Sequence, residues 1–368
     1  SSRRGRGGKS SINLFWPLWL FLWAALNALF LSADLFNLYV TLELVGMAAV
    51  ALVTLDGGQV ALGAGMRYLL VALFGSLSYL LGVALLYASF GVLDLRLLGQ
   101  LAAPGPPVLI ALSLMTLGLL AKTALFPLHF WLPAAHANAP APVSALLSAL
   151  VVKASFYLLL RLWLEVFPPG LRPAGGQFLG LLGGGAILWG SFLALRQKSL
   201  KRLIAYSTVA QIGYLFLFFP LAGPMAPTLG REASRWGFDA FGGCLYQALS
   251  HAFAKAAMFM AAGNIVRALG HDRIGGLDGI NQQLPITLFA FGLSGVSLMG
   301  LPPSGGFIAK WLLLKASLER GQWEWAIVIV AGGLLASAYV YKVLRQALIQ
   351  IPHEPSTRSV PRSMELAA

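Results

Sequence analysis

The sequence predicts an all-α polytopic membrane protein of about ten transmembrane helices, arranged as two inverted five-helix repeats with one broken helix in each. Three observations lead there. Hydrophobic residues make up 58% of the 368 positions and charged residues 11%, with a mean hydropathy of +0.76, a balance that excludes an ordinary soluble domain. Apolar runs of the length needed to cross a bilayer, about 20 residues, follow one another along the chain. A proline-bearing interruption with a lysine in it occurs twice, as AKTALFPLHFWLP in the fourth run and SLMGLPPSGGFIAKW in the ninth.

After a basic flank over 1–13, the first five runs lie near 14–33, 35–55, 66–90, 107–127 and 143–164, and compose a repeat over 14–165. The next five lie near 178–195, 203–220, 238–262, 285–314 and 323–349, and compose a second repeat over 177–350, followed by a tail over 351–368. Polar or Gly/Pro-rich segments punctuate them: LDGGQ, DLRLLGQLAAPGPP, PPGLRPAGG, RQKSLKR, AGPMAPTLGREASRWG, HDRIGGLDGINQQ and LERGQ. An odd number of spans per repeat turns the second repeat over relative to the first, the architecture of transporters whose sites lie at discontinuous helices. The glycines of GLLGGGAILWG let helices approach closely. No strand precedes them, so they are not a dinucleotide-binding turn. The N-terminal apolar run lacks a small-residue cleavage site and reads as a first span rather than a signal peptide.

The net charge of +13 does not indicate nucleic acid, because the basic residues fall at span ends rather than on an aromatic-interleaved surface. With the N-terminus inside, Arg3, Arg4, Arg6, Lys9, Arg67, Arg196, Lys198, Lys201, Arg202, Arg267, Arg273, Lys342, Arg345, Arg358 and Arg362 are all cytoplasmic. Arg96, Arg161, Arg172, Arg231, Arg235, Lys315 and Arg320 then lie outside. This bias places both termini in the cytoplasm. Cys244 is the one cysteine, which excludes an internal disulfide and a cysteine-held iron–sulfur cluster within the chain. No cofactor and no metal is expected, and redox chemistry lies elsewhere.

Lys122, Lys153, Lys255 and Lys310 belong to no loop. A charged amine at mid-bilayer costs on the order of 2.5 to 3.5 kcal/mol, so such residues mark function. The prolines Pro127, Pro133, Pro140 and Pro142 between Lys122 and Lys153 remove backbone donors, and irregular backbone at membrane depth needs protein or a water-filled cavity around it. Glu43 is the carboxylate well inside a span and needs a cation nearby. Burial disfavours a charged amine while an opposite charge within about 4–6 Å restores it, so a glutamate facing Lys122 makes its proton occupancy switchable. His251 and Lys255 stand at i and i+4 on one helix face, and histidine titrates near neutral pH. Plainer roles compete with each of these. Lys122 and Lys310 can snorkel from a helix end, Glu43 can join helices, and His251, like His129 and His136, can be a hydrogen-bonded core histidine. Tyr206, Ser207, Thr208 and Gln211 can line water or join neighbouring helices.

The segments AKTALFPLHFWLPAAHANAPAPVSALLSALVVKASFYLLLR, SLKRLIAYSTVAQIGYL, ALSHAFAKAAMF and GLPPSGGFIAKW resemble the signature segments of the antiporter-like subunits shared by respiratory complex I, membrane-bound hydrogenases and Mrp-type sodium/proton antiporters. The resemblance implies that Glu43 and Lys122 form the glutamate–lysine pair of a first half-channel and that Lys153 is the connecting lysine. His251 and Lys255 are then the relay between halves, and Lys310 the terminal lysine of the second. A lysine rather than a glutamate at 310 is similar to the Mrp D, hydrogenase and quinone-reductase N types.

By the same resemblance the chain is expected to be a proton-translocating subunit of a bacterial or archaeal plasma-membrane complex, with other membrane subunits, protons and the lipid bilayer as its partners. Its parent would be a proton-pumping NADH:quinone oxidoreductase or a hydrogenase. Two other readings stand beside it: a sodium/proton antiporter subunit of an Mrp-type complex, with Na+ as second partner, and a non-conducting scaffold of a redox or carbon-uptake complex. The resemblance covers the two repeats. It does not extend to the further spans and lateral helix of some family members, which leaves open both the partner set and whether the chain is a minimal homologue or part of a longer one.

Overall fold

The computed structural model describes residues 4–222, 231–350 and 359–368, with side chains over 14–222, 236–350 and 359–368. The side chains of Arg3, Arg4, Arg6, Lys9, Arg231, Arg235 and Arg358, which bear on the orientation of the chain, lie outside the described residues. Among the described residues nine helices are long and apolar enough to cross a bilayer, and Pro285–Met299 is a shorter apolar one. The backbone satisfies itself within each helix, as hydrocarbon demands, and no named strand occurs among the described residues.

The chain divides into two compact units, Ser1–Val143 with Leu150–Ala174, and Ser144–Ala149 with Gly175–Ala368. In the first, α1 (Arg4–Leu31) and α2 (Leu35–Val53) precede the long α3 (Gln59–Phe90), a short α4 (Leu95–Leu101), and the broken pair α5 (Pro106–Thr123) and α6 (Leu132–Asn138). Helix α7 (Ala141–Leu146) runs through a π turn, Leu147–Val151, into α8 (Val152–Glu165). In the second unit, α9 (Arg172–Arg196) and α10 (Leu200–Phe216), with the single turn α11 (Phe218–Leu221), precede the long α12 (Arg231–Leu269). A short α13 (Ile280–Gln283) leads to the broken pair α14 (Pro285–Met299) and α15 (Gly305–Glu319), and α16 (Trp323–Ala347) closes the order before α17 (Arg362–Leu366).

The two units share details that hydropathy does not carry. Each ties the start of its second helix to the segment beyond its long third helix by an isolated antiparallel bridge, Asp34 to Asp94 in one and Ser199 to Arg273 in the other. The paired bonds are Leu35 N–H to Leu93 O at 3.0 Å and Leu95 N–H to Ala33 O at 3.1 Å in the first unit. In the second they are Leu200 N–H to Asp272 O at 2.7 Å and Ile274 N–H to Lys198 O at 2.9 Å. Asp34 and Asp94 also accept the first free amides of α2 and α4, and Ser199 does so for α10, which satisfies helix N-termini that have no partner of their own.

Several boundaries differ from the hydropathy reading. Helix α3 begins at Gln59 rather than 66, and α12 runs over 231–269 rather than 238–262. At 1.5 Å per residue α3 is about 48 Å long, longer than a roughly 30 Å hydrocarbon core. The added residues, QVALGAG, extend the helix at its N-terminal side. The described part of the tail does not trail into solvent: Val360 and Ala368 pack on the core of the second unit, and Asn264 Nδ2 donates to Met364 O at 2.9 Å. Residues 351–358 lie outside the described residues.

Candidate functional site

Both broken helices end in the same way. Ala124 and Gly300 turn left-handed, at φ 56 and 82, and the next residue reaches five positions back, Leu125 N–H to Leu120 O at 3.2 Å and Leu301 N–H to Val296 O at 3.1 Å. This is the helix-closing arrangement that reverses chain direction while satisfying end carbonyls. Glycine accepts that φ freely, and at 300 a Cβ would also meet Lys310 Cδ at 2.6 Å.

Each carbonyl end attracts a cation, as the helix dipole favours. Lys122 stands in the last turn of α5. Lys310 belongs to the other half-helix, α15, and reaches back across the break, donating to Leu298 O at 2.6 Å and Met299 O at 3.0 Å. Its ammonium also faces the Tyr214 ring.

Lys122 is buried, and its Nζ donates to Glu43 Oε2 at 3.2 Å. Ser76 Oγ donates to the same carboxylate oxygen. Three helices therefore meet in this group: α2 through Glu43, α3 through Ser76 and α5 through Lys122. Small residues make the meeting possible. A Cβ on Gly118 would lie 2.2 Å from Gly75 O, and one on Gly75 would lie 2.7 Å from Gly118 O, so α3 and α5 touch backbone to backbone as small residues permit in membranes. The 3₁₀ turn Leu128–Trp131 is fastened to α5 by Trp131 Nε1–H to Ala121 O at 3.0 Å. The Trp131 ring stacks on Tyr68 at 4.1 Å.

A cavity of about 10 Å³ touches Lys122, between Leu42, Gly46, Tyr68 and Ser155, close to the volume one water needs. Ser155 lies two residues beyond Lys153 in the first turn of α8, directly after the π turn. Such turns recur at functional positions. His129 and His136 are buried on the 3₁₀ turn and on α6.

In the second unit, His251 and Lys255 are buried on α12. The Lys255 ammonium is directed to α10, where it donates to Ile204 O at 3.0 Å and to Ser207 Oγ. The structure thus pairs Glu43 with Lys122 directly, while Lys255 and Lys310 are held by carbonyl and hydroxyl oxygens. Between the last two lies a buried polar group that sequence reading left unassigned apart from Gln211. Gln211 Nε2 donates to Leu298 O at 3.0 Å and to Tyr339 Oη at 3.4 Å, and Gln247 Nε2 donates to Gln211 Oε1 at 3.0 Å. The available signal was a polar residue in each of three helices, Gln211, Gln247 and Tyr339, which names no partner. Among the described residues no three His, Cys, Asp or Glu side chains cluster to hold a metal ion.

A repeated five-helix unit with a cation at the carbonyl end of each broken helix, and a buried lysine–glutamate pair in one of them, defines an integral membrane protein of the discontinuous-helix type. The chain belongs to the NADH:quinone oxidoreductase/Mrp antiporter transmembrane family, which matches residues 32–336. It is 37% identical over 349 residues to the NADH-quinone oxidoreductase subunit N of Desulforudis audaxviator, an alignment covering 94% of this chain and 67% of the relative. It is 30% identical over 335 residues to a Na(+)/H(+) antiporter subunit of Alkalihalophilus pseudofirmus, covering 89% and 64%. The chain therefore spans about two thirds of the length of these relatives. Among solved structures, the Mrp complex from a Dietzia species has a chain with TM-score 0.84 and 29% identity, covering 95% of this chain and 63% of that one. Respiratory complex I from Thermus thermophilus has one with TM-score 0.77 and 27% identity, covering 96% and 74%.

Proposed function

We propose that this chain is a proton-translocating subunit of a larger membrane complex, carrying protons through water-linked Glu43, Lys122, Lys153, His251, Lys255 and Lys310. The observation that carries the reading is the Lys122–Glu43 pair, a buried amine 3.2 Å from a half-buried carboxylate beside a broken helix. Breaking a buried pair leaves an uncompensated charge, so proton movement on one partner is coupled to the other. Lys310 on helix-end carbonyls supplies a second holding point.

The energy source is a partner subunit, because the relatives named above are subunits of oxidoreductases and antiporters. Sodium/proton exchange is the second reading, favoured by the 30% identity to the antiporter relative. A non-conducting scaffold is disfavoured because it has no use for charges kept in lipid. The cytoplasmic placement of both termini rests on the basic-residue bias. The test is the pH change inside vesicles carrying the assembled complex, wild type against Lys122→Ala, with and without sodium. Loss in the variant supports translocation, sodium dependence supports exchange, and unchanged rates in the variant sink both.

A further inference from the structure

The polar group between Lys255 and Lys310 draws side chains from four helices of the second unit. Ser207 and Gln211 come from α10, Gln247 and Lys255 from α12, Lys310 from α15 and Tyr339 from α16. Gln211, Gln247, Ser207 and Tyr339 are all 2% exposed or less. Read from one end, Lys255 donates to Ser207 Oγ, whose own hydrogen goes to Ile204 O, and further along the Tyr339 hydroxyl accepts from Gln211 Nε2. Gln211 Nε2 also donates to Leu298 O, and Lys310 donates to the same carbonyl from its other side. The two lysines thus stand at the ends of a polar series within one unit, one part running from Lys255 to Ser207 and the other from Tyr339 through Gln211 and Leu298 O to Lys310.

The members of that series differ in what they can do with a proton. A hydroxyl accepts a proton on one lone pair and gives up its own on the other side, so Tyr339 can pass one along without net change, as can Ser207 once its hydrogen turns away from Ile204 O. A primary amide keeps both its hydrogens at neutral pH, and a backbone carbonyl only accepts. The hydroxyls can therefore carry a proton, and Gln211 is the member on the Lys310 side that cannot. The amide is also locked. Leu298 O can only accept, which fixes the nitrogen of Gln211 on that side, and Gln211 Oε1 is occupied by Gln247 Nε2, whose nitrogen is anchored in turn on Gln211 O at 3.2 Å.

We propose that the Gln211 side chain is a gate between Lys255 and Lys310, latched by Gln247, and that a proton passes only when the amide swings off Leu298 O and Tyr339 and water takes its place. This rests on the translocation reading above. Truncating Gln211 to alanine vacates room for about two waters, at about 30 Å³ each, next to Tyr339 Oη, Leu298 O and the Lys310 ammonium, which supply the two to four polar partners a buried water requires. The gate then stands open.

The experiment measures proton flux into vesicles carrying the assembled complex, with a trapped pH dye, an imposed potassium diffusion potential and the energy source withheld. Gln211→Ala is expected to leak at least about tenfold faster than wild type, and Gln247→Ala, which releases the latch, to leak less. Gln211→Leu fills the space without polar atoms and should stay tight. Adding Lys310→Ala to Gln211→Ala should return the flux to background, a result that mere loosening of the fold would not produce. An assembled Gln211→Ala complex as tight as wild type overturns the gate, as does a leak that survives Lys310→Ala. Should Gln211→Ala fail to assemble, Gln247→Ala decides, a tight complex overturning the proposal. Energised transport in the same vesicles separates the two levels: if Lys122→Ala abolishes it while Gln211→Ala is tight, the gate alone falls, and if Lys122→Ala leaves it intact, the translocation reading falls.

Discussion

The Lys310 ammonium lies 4.6 Å from the centre of the Tyr214 ring, and the hydroxyl at the far end of that ring donates to Ile329 O at 3.1 Å. The hydroxyl contact fixes the ring against α16, and the ring presents its electron-rich face to the amine. A desolvated contact of this kind is worth about 2 kcal/mol. Tyr214→Leu is expected to weaken the hold on the protonated amine and to slow energised proton flux by about tenfold, equivalent to about 1.4 kcal/mol. Tyr214→Phe keeps the ring and should remain near wild type. A phenylalanine variant as slow as the leucine one would assign the effect to the Ile329 bond instead.

Lys122→Ala and Glu43→Ala should each abolish proton movement in vesicles while the protein still inserts. Lys122→Arg should fail as well, since a guanidinium holds its proton at any physiological pH. Ser76→Ala removes a donor from the Glu43 carboxylate, a contact worth about 1.5–3 kcal/mol, and should give a partial loss. Wild-type rates in the two alanine variants would remove the pair from the mechanism.

Lys153→Met preserves side-chain length and packing and removes the charge. If Lys153 links the path at Lys122 to the path at Lys310, this variant assembles normally and transports nothing. Intact transport combined with failed assembly would make Lys153 an anchor, leaving two independent half-paths. Quantifying the subunit in purified complex alongside flux separates the two outcomes.

Gly118→Ala forces a methyl group to within 2.2 Å of Gly75 O. Overpacking of this kind costs about 1–3 kcal/mol, and it falls on the contact that holds Lys122 opposite Glu43. A lower melting temperature in detergent and reduced transport are expected together. Gly63→Ala, on the same α3 helix, meets nothing within 4 Å, and should hold or raise stability by up to about 1 kcal/mol through helix propensity. Equal effects of the two substitutions would refute the close-contact account.

Hydropathy alone determined the membrane class, the approximate position of each span and the residues that stand out in it, because in hydrocarbon every backbone bond must close within its own helix and span location becomes a local property. Glu43, Lys122, Lys153, Lys255 and Lys310 were legible for the same reason, as charges in the wrong solvent. The repeated interruption at Pro127 and Pro302 was legible as chain chemistry. Helix ends were less so: α12 continues into polar residues and α3 starts seven residues before the expected span, since a formed helix propagates at little cost beyond an apolar run. Only the tertiary structure decided that Lys310 reaches back over the break to the carbonyls of α14, that Ser76 joins Glu43, and that Gln211, Gln247 and Tyr339 form one group. Those meetings depend on how each helix is rotated and how closely it approaches its neighbour. Rotation and approach are set by contacts such as Gly75 on Gly118, between residues 43 positions apart in sequence, and no local pattern in an apolar helix records which distant helix a lone polar side chain will face.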